Sequence, residues 1–322
     1  MPHGSIAPAE SDLEECRQLT AEHERWLAET FPGWGSRQVK SLTQQKASRR
    51  LSALLWESDD RLSRGLALVS PAQNEAGIHG LWLRPWSLRS LGDMLSGVEH
   101  EIPGPVQTVT DVLPEPDPEE QSRWFRARGF WHRQKVLMRL TSPTSAETGH
   151  APREIRPLRR ADLEQVVGLY VRAHTSRPGE FWTWGPPDNW AEAQRDVMDH
   201  VDAEGHWTSD FLPDASFVWE SHGRVLGAVL VDADRRGCSY VSDLLVEPEF
   251  HRQGIGRSLM ERSIQEIQHA GPQLVELAAI RFGAPYRLYR RLGFEEVPPP
   301  QGRLDGQWVR GKVPEAVSRE AG

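Results

Sequence analysis

The sequence predicts an α/β (α+β) chain of two domains in tandem, each a mixed, mostly antiparallel sheet flanked by helices. Three observations predict it. At 322 residues the chain is too long for a common single domain, so two units of about 150 residues are expected. A set of short matches recurs in the same order in its two halves. Within the second half, apolar runs of strand length alternate with apolar residues at helical spacing, the pattern of a sheet covered by helices.

The repeat reads as follows. Ile6-Ala7-Pro8 before Asp12-Leu13-Glu14 resembles Ile155-Arg156-Pro157 before Asp162-Leu163-Glu164. Trp56-Glu57-Ser58 returns as Trp219-Glu220-Ser221, and Gly65 to Val69 as Gly227 to Val231. Pro85 matches Pro248, Gly92 matches Gly256, and Gly129-Phe130 matches Gly293-Phe294. The offset starts near 150 and settles at about 163, as one loop insertion in the second copy would produce. Between the copies Thr141 to Pro152 is polar and without apolar period, a linker, and the tail after Val313 is also polar. The expected organisation is 1–140, a linker at 141–152, a second domain at 153–313 and a tail.

In the second copy, Ile155 to Leu158 reads as a strand and Asp162 as the N-cap of a helix carrying Leu163, Val166, Val167 and Tyr170. A second helix is expected over Trp190 to Val201. Ser216 to Glu220 and Val225 to Val231 flank a hairpin turn at Ser221 to Arg224. Tyr240 to Val246 is the next strand. From Gly254, residues Ile255, Leu259, Met260, Ile264 and Ile267 recur at helical spacing until Gly271-Pro272 stops them. Leu274 to Ile280 is a strand, Ala284 to Leu292 a helix, and Phe294 to Val297 a last strand.

Composition excludes several function classes. A net charge of −8 argues against nucleic acid, whose phosphates need clustered Lys and Arg. Two cysteines, Cys16 and Cys238, are too few for a disulfide framework or a structural zinc site, and no metal is expected. The acidic start is no secretory signal, and no apolar stretch reaches the roughly 20 residues of a membrane span. A cytoplasmic protein without a membrane partner is expected; its oligomeric state is not legible.

The chemistry sits between Asp243 and Ser258. A strand leads through a short loop into a helix whose first turn is rich in glycine. Such a turn is an anion site, because the first backbone N–H groups lack helical partners and the helix dipole points its positive end outward. Gly254 and Gly256 let a phosphate approach the backbone, and Arg252 and Arg257 add charge. Leu259 stands where a dinucleotide fingerprint wants a small residue, and a P-loop's Gly-Lys-Ser/Thr is absent.

This segment resembles the acyl-CoA pyrophosphate loop of the GNAT acetyltransferases, Arg/Gln-x-x-Gly-x-Gly/Ala after a strand ending Val-x-Pro. Tyr289 to Phe294 resembles that family's second signature, Tyr-x-x-x-Gly-Phe. The resemblance implies acetyl-CoA as acyl donor and direct attack by a primary amine of a small molecule or peptide in a ternary complex. Leu244, Leu245 and Val246 would lend backbone groups to the pantetheine arm, where two parallel strands splay. His251, Arg252, Gln253, Gly254, Ile255, Gly256, Arg257 and Ser258 would cradle the pyrophosphate. Tyr289 would protonate the leaving thiolate, with a plain core tyrosine as the competing reading. Asp243 and Tyr240 are candidate bases, Asp243 being also readable as a paired strand residue. Two departures stand out: His251 occupies the usual Arg/Gln position, and Phe282 the place of an Asn that many relatives use on the cofactor.

Phe181, Trp182 and Trp184 fall where the acceptor pocket lies in this family. A run of acidic residues follows from Glu192 to Asp214, so a cationic amine is one expectation and a solvated helix face the other. In the first copy the loop Arg84 to Gly92 keeps one glycine of the pair, and Phe125 replaces Tyr289. That copy reads as degenerate. The tandem layout also resembles mycothiol synthase, and a non-catalytic acyl-CoA sensor is the alternative from another class.

Overall fold

The computed structural model describes residues 5–8, 52–71, 76–84, 87–102, 106–110, 112–113, 117–141, 152–175, 197, 200–201, 206–233, 238–270, 274–298 and 306–311. The expected linker lies almost wholly outside them, as does most of the helix expected over Trp190 to Val201. The chain divides into two compact units, one of residues 1–135 with 299–322 and the other of residues 136–298.

The first unit contains strands β1 (Ser5–Pro8), β2 (Ser52–Glu57), β3 (Arg64–Pro71), β4 (Ala76–Arg84), β5 (Val106–Thr110) and β6 (Val112–Leu113). Helices α1 (Leu88–Glu101) and α2 (Pro118–Arg126) accompany them, and β7 (Phe130–Leu140) begins in this unit. The sheet is antiparallel from β1 to β4, and β4 then pairs parallel with β5 and β6. Its core joins Leu54, Trp56 and Ala67 to Leu91 and Met94 of α1 and Phe125 of α2.

The second unit holds β8 (Ile155–Pro157), α3 (Leu163–Thr175), β9 (Phe217–Ser221), β10 (Arg224–Ala233), β11 (Ser239–Val246) and α4 (Ile255–His269). β12 (Val275–Ile280), α5 (Ala284–Arg291) and β13 (Glu295–Glu296) complete its own stretch of chain. β8 to β11 are antiparallel, and β11 pairs parallel with β12. One face of the sheet carries α4 and α5, through Ile255, Leu259, Met260 and Tyr289 packed with Val229, Val241 and Leu277. The other carries α3, through Val166, Val167 and Leu169 packed with Ala228, Leu230 and Leu245. The hairpin turn is made by His222 and Gly223, both at positive φ (51° and 76°), the left-handed pair that a two-residue hairpin requires. Asp162 differs from its expected role: it closes a short 3-10 turn, is buried, and accepts hydrogen bonds from Arg156 and from the Arg159 N–H.

The duplication is written into strand register. Trp56 pairs with Ile6 on one side and Gly65 on the other. Trp219 pairs with Ile155 and Gly227, the residues matched to those in sequence. Gly129 and Gly293 both follow the last helix of a copy at positive φ (79° and 91°), which a side chain with Cβ resists.

Each unit is completed by a strand from the other copy's stretch of sequence. In the first, β14 (Gly306–Arg310) pairs antiparallel with β5 and with Phe130–Gln134 of β7. In the second, Met138 and Arg139 of β7 pair with β13, and β12 is also a neighbour of β7. Among the described residues no helix is long and apolar enough to cross a membrane.

Candidate active site

The site begins with an interrupted strand pair. β11 and β12 are paired only at Ser239/Val275, Tyr240/Glu276 and Val241/Leu277. Just beyond, a bulge displaces the register between β10 and β11: Leu230 faces Asp243 while Val231 faces Val241, leaving Ser242 over. A bulge bends and twists the strand that carries it. Leu244 to Val246 remain bonded to β10 but run on past the last pair with β12. The two strands thus part after three pairs, the splay that the resemblance implied.

The bulge also resets which side chains face which helix. Val241, Leu244 and Val246 point to the α4 and α5 face, whereas Leu245 packs against α3. Asp243 therefore alternates onto the α3 side, with Tyr240.

β11 ends at Val246, and after Glu247 a 3-10 turn over Pro248–Phe250 leads into the loop. The imidazole Nε2 of His251 lies 2.9 Å from the Val246 carbonyl, so the ring braces the loop against the strand. Arg252 and Gly254 both hold positive φ (63° and 89°), and Gly254 is the N-cap of α4. The first helical bond runs from the Ser258 N–H to the Gly254 carbonyl, and no side chain caps the helix. The N–H groups of residues 255–257 thus precede the helical ladder at its positive end. Arg252, Gln253 and Arg257 are exposed around this turn, Arg257 being paired with Glu261 at 2.7 Å.

Gly256 joins the parts. A Cβ there would meet Val246 Cγ2 at 3.3 Å, Leu244 Cδ2 at 3.7 Å and Leu288 Cδ2 at 3.8 Å. The first turn of α4, the open end of β11 and the helix carrying Tyr289 therefore converge. Tyr289 is buried against Phe294, and burial, then the charge of Asp243, push its pKa well above the usual tyrosine value. Phe282 holds a positive φ (63°) between β12 and α5, edge-on to Tyr286.

His174, at the end of α3, went unnoticed in the sequence. Its Nδ1 lies 2.8 Å from the Tyr170 carbonyl, and its ring lies against that of Tyr170 with centroids 4.2 Å apart and planes tilted by 41°. Desolvation pulls its pKa below 6.5, against the Asp243 charge and the Tyr170 hydrogen bond, which pull it up. The signal that would have found it is the i, i+4 spacing of Tyr170 and His174 on a helix facing the strand of Asp243. Phe181, Trp182 and Trp184 lie outside the described residues.

The corresponding place in the first unit is shut. β4 pairs with β5 at Ala76 to Ile78 and then with β6 at Leu81/Val112 and Trp82/Leu113. Leu81 and Trp82 match Leu244 and Leu245. Ser87 caps α1, its Oγ accepting from the Ser90 N–H at 3.0 Å, where α4 has glycine and no cap. Phe125 stacks on Trp308 at 4.6 Å.

Residues 213–296 match the acetyltransferase (GNAT) domain family. An uncharacterised N-acetyltransferase of Methanocaldococcus jannaschii is 26% identical over 157 residues, 47% of this chain and 64% of its own length. The chain thus spans less than two-thirds of that relative. A tandem GNAT protein from the clavulanic acid biosynthesis pathway superposes at TM-score 0.50 and 16% identity, covering 95% of this chain and 97% of that one. A GCN5-related glucosamine N-acetyltransferase region of a fungal multidomain β-N-acetylglucosaminidase gives 0.52 at 11% identity, with 92% and 37% covered. At these identities the structural likeness is one of fold.

Proposed function

We propose that this chain is a GNAT acetyltransferase, as the match of residues 213–296 to that domain family supports, and that it transfers an acetyl group from acetyl-CoA to a primary amine. The observation that carries this reading is the junction at Gly256, where the open edge of β11, the uncapped start of α4 and the helix of Tyr289 meet. In this reading the pantetheine arm lies along Leu244 to Val246 and the pyrophosphate on the N–H groups at the start of α4, beside Arg252 and Arg257. The first copy supplies structure and no second acyl-CoA site.

The chemistry sets what the residues must supply. An alkylammonium of pKa about 10.4 is three units from its free base at pH 7, which costs roughly 4–5 kcal/mol, so a base is needed. The leaving thiol, of pKa about 8.5, departs readily. Tyr289 is a weaker acid than that thiol, since burial raises it further. Full proton transfer to sulfur is therefore uphill, and its hydroxyl acts chiefly by hydrogen bonding the charge that builds on sulfur. A cationic acceptor is the finer reading. It rests on the acidic run from Glu192 to Asp214 and the aromatic residues before it.

Calorimetric titration of acetyl-CoA into the whole chain tests the site, alongside Gly256→Glu and the exposed Arg257→Glu. About one site per chain, abolished by the first change and weakened by the second, is the expected result. Two sites would restore the first copy, and no binding would end the acyl-transfer reading. Acetylation of spermidine or kanamycin in preference to taurine is expected for the acceptor; equal rates would remove the cationic preference.

A further inference from the structure

The geometry points to His174 as the base that takes the proton from the acceptor ammonium, with Asp243 as the residue that positions and charges it. This rests on the acyl-transfer reading above. Three observations bring the two residues together. α3 packs against β10 and β11. The bulge at Ser242 turns Asp243 onto the α3 face, where without it Asp243 would point toward α4. Finally, Arg172, two residues before His174, holds Glu247 at the exit of β11 through Nε contacts of 3.0 Å to both carboxylate oxygens. The last turn of α3 is thereby fixed beside the strand.

The hydrogen bond from Nδ1 settles the tautomer. A backbone carbonyl only accepts, so Nδ1 carries the proton and donates it to Tyr170 at 2.8 Å. The basic lone pair is then on Nε2. Asp243 is the charge that acts on the ring. The other charged and titratable groups on the elements packed with α3 are Arg172 on α3 itself, engaged by Glu247 at the exit of β11, Tyr240 on β11, and Asp232 on β10, engaged by His200 at 3.3 Å. Asp243 alone is a poor base for an ammonium, its kind titrating near 3.9, whereas an imidazole near 6.5 is matched to neutral pH. Asp243 stabilises the imidazolium once formed, and the same charge keeps Tyr289 in its neutral, hydrogen-bonding form.

The protons balance. One passes from the ammonium to His174 Nε2 and on to solvent. The freed nitrogen pair forms the C–N bond, and the C–S bond breaks with its pair on sulfur. The second N–H proton, released as the amide forms, neutralises the thiolate through solvent, and the Tyr289 hydroxyl hydrogen-bonds the charge on sulfur until it does.

The test has two readouts on the full chain. In 15N-histidine NMR, with the signal assigned through His174→Gln, His174 is expected at pH 7 as the neutral Nδ1–H tautomer, titrating below its ordinary value. Asp243→Asn is expected to lower it further. A protonated or Nε2–H ring at pH 7, or no response to Asp243→Asn, overturns the proposal. With acetyl-CoA and spermidine, from about pH 5.5 to pH 9, His174→Gln is expected to lower kcat by about 10²-fold at neutral pH. It is also expected to remove the acid limb and to leave acetyl-CoA binding unchanged. An unaltered kcat and acid limb overturn it as well. If the wild-type chain binds acetyl-CoA but leaves spermidine unacetylated, the cationic acceptor is what has failed, and the NMR arm still decides His174.

Discussion

Tyr289 and Phe125 occupy matched positions, and the difference of one oxygen between them separates the two copies. Phe125 is wholly buried in an aromatic cluster with Phe130 and Trp308. Tyr289 is buried beside a charge that disfavours its phenolate. Tyr289→Phe is expected to lower kcat by about 10²-fold while acetyl-CoA affinity stays near wild type, as steady-state rates and calorimetry would show. The same residue predicts a pH effect on stability. Its folded pKa is raised, so its contribution is complete below the unfolded value of about 10 and is lost as pH rises beyond it. Denaturant midpoints should fall above about pH 10 in the wild type, and less so in Tyr289→Phe. At this scale the sequence was legible where chemistry is local. Tyr289, Gly254 and Gly256 stand in a readable spacing. His174 does not, because a single histidine on a helix acquires meaning only from the strand opposite, and which face Asp243 takes depends on a bulge that leaves no mark in composition.

Among elements, the approach of α4 to the sheet governs the site. Gly227 on β10 is the contact that permits it: a Cβ there would lie 2.8 Å from Ile255 Cγ2 and 2.9 Å from Leu259 Cδ1. Gly227→Ala is expected to cost about 1–3 kcal/mol by overpacking, and to weaken acetyl-CoA binding by pushing the first turn of α4 away from Leu244 and Val246. Denaturation and calorimetry on the one variant would show both effects; an unchanged affinity would mean that the helix start tolerates the shift. In the second copy the strands and helices were legible from period and turn residues, including the hairpin at His222-Gly223. The opening between β11 and β12 was legible only through resemblance, since pairing that stops after three residues leaves no pattern in either strand. The same blindness applied to β6. Its two residues close the first copy's equivalent of that opening, and nothing about Val112-Leu113 announces a strand.

For the molecule as a whole, the telling segment is β14. Trp308 is nearly fully buried in the first unit, and Gln307 accepts a hydrogen bond from Arg133 there. Trp308→Ala is expected to destabilise the first unit by about 3–5 kcal/mol, measured by denaturation. A chain ending at Pro298 should lose the cooperative folding of residues 1–135. The order of the repeat was readable because a duplication preserves short matches. The exchange of strands was not, because the five residues Gly306 to Arg310 carry no alternation of apolar and polar residues and name no partner.

That exchange sets a timetable. When a ribosome has completed Leu140, the first unit still lacks its strand between β5 and β7, and about 165 residues remain before Gly306 is made. At ordinary synthesis rates this is roughly ten to thirty seconds during which two strand edges wait without their partner. The half of the protein that is born first is therefore finished last, and through that interval its nascent chain is a natural client for a chaperone.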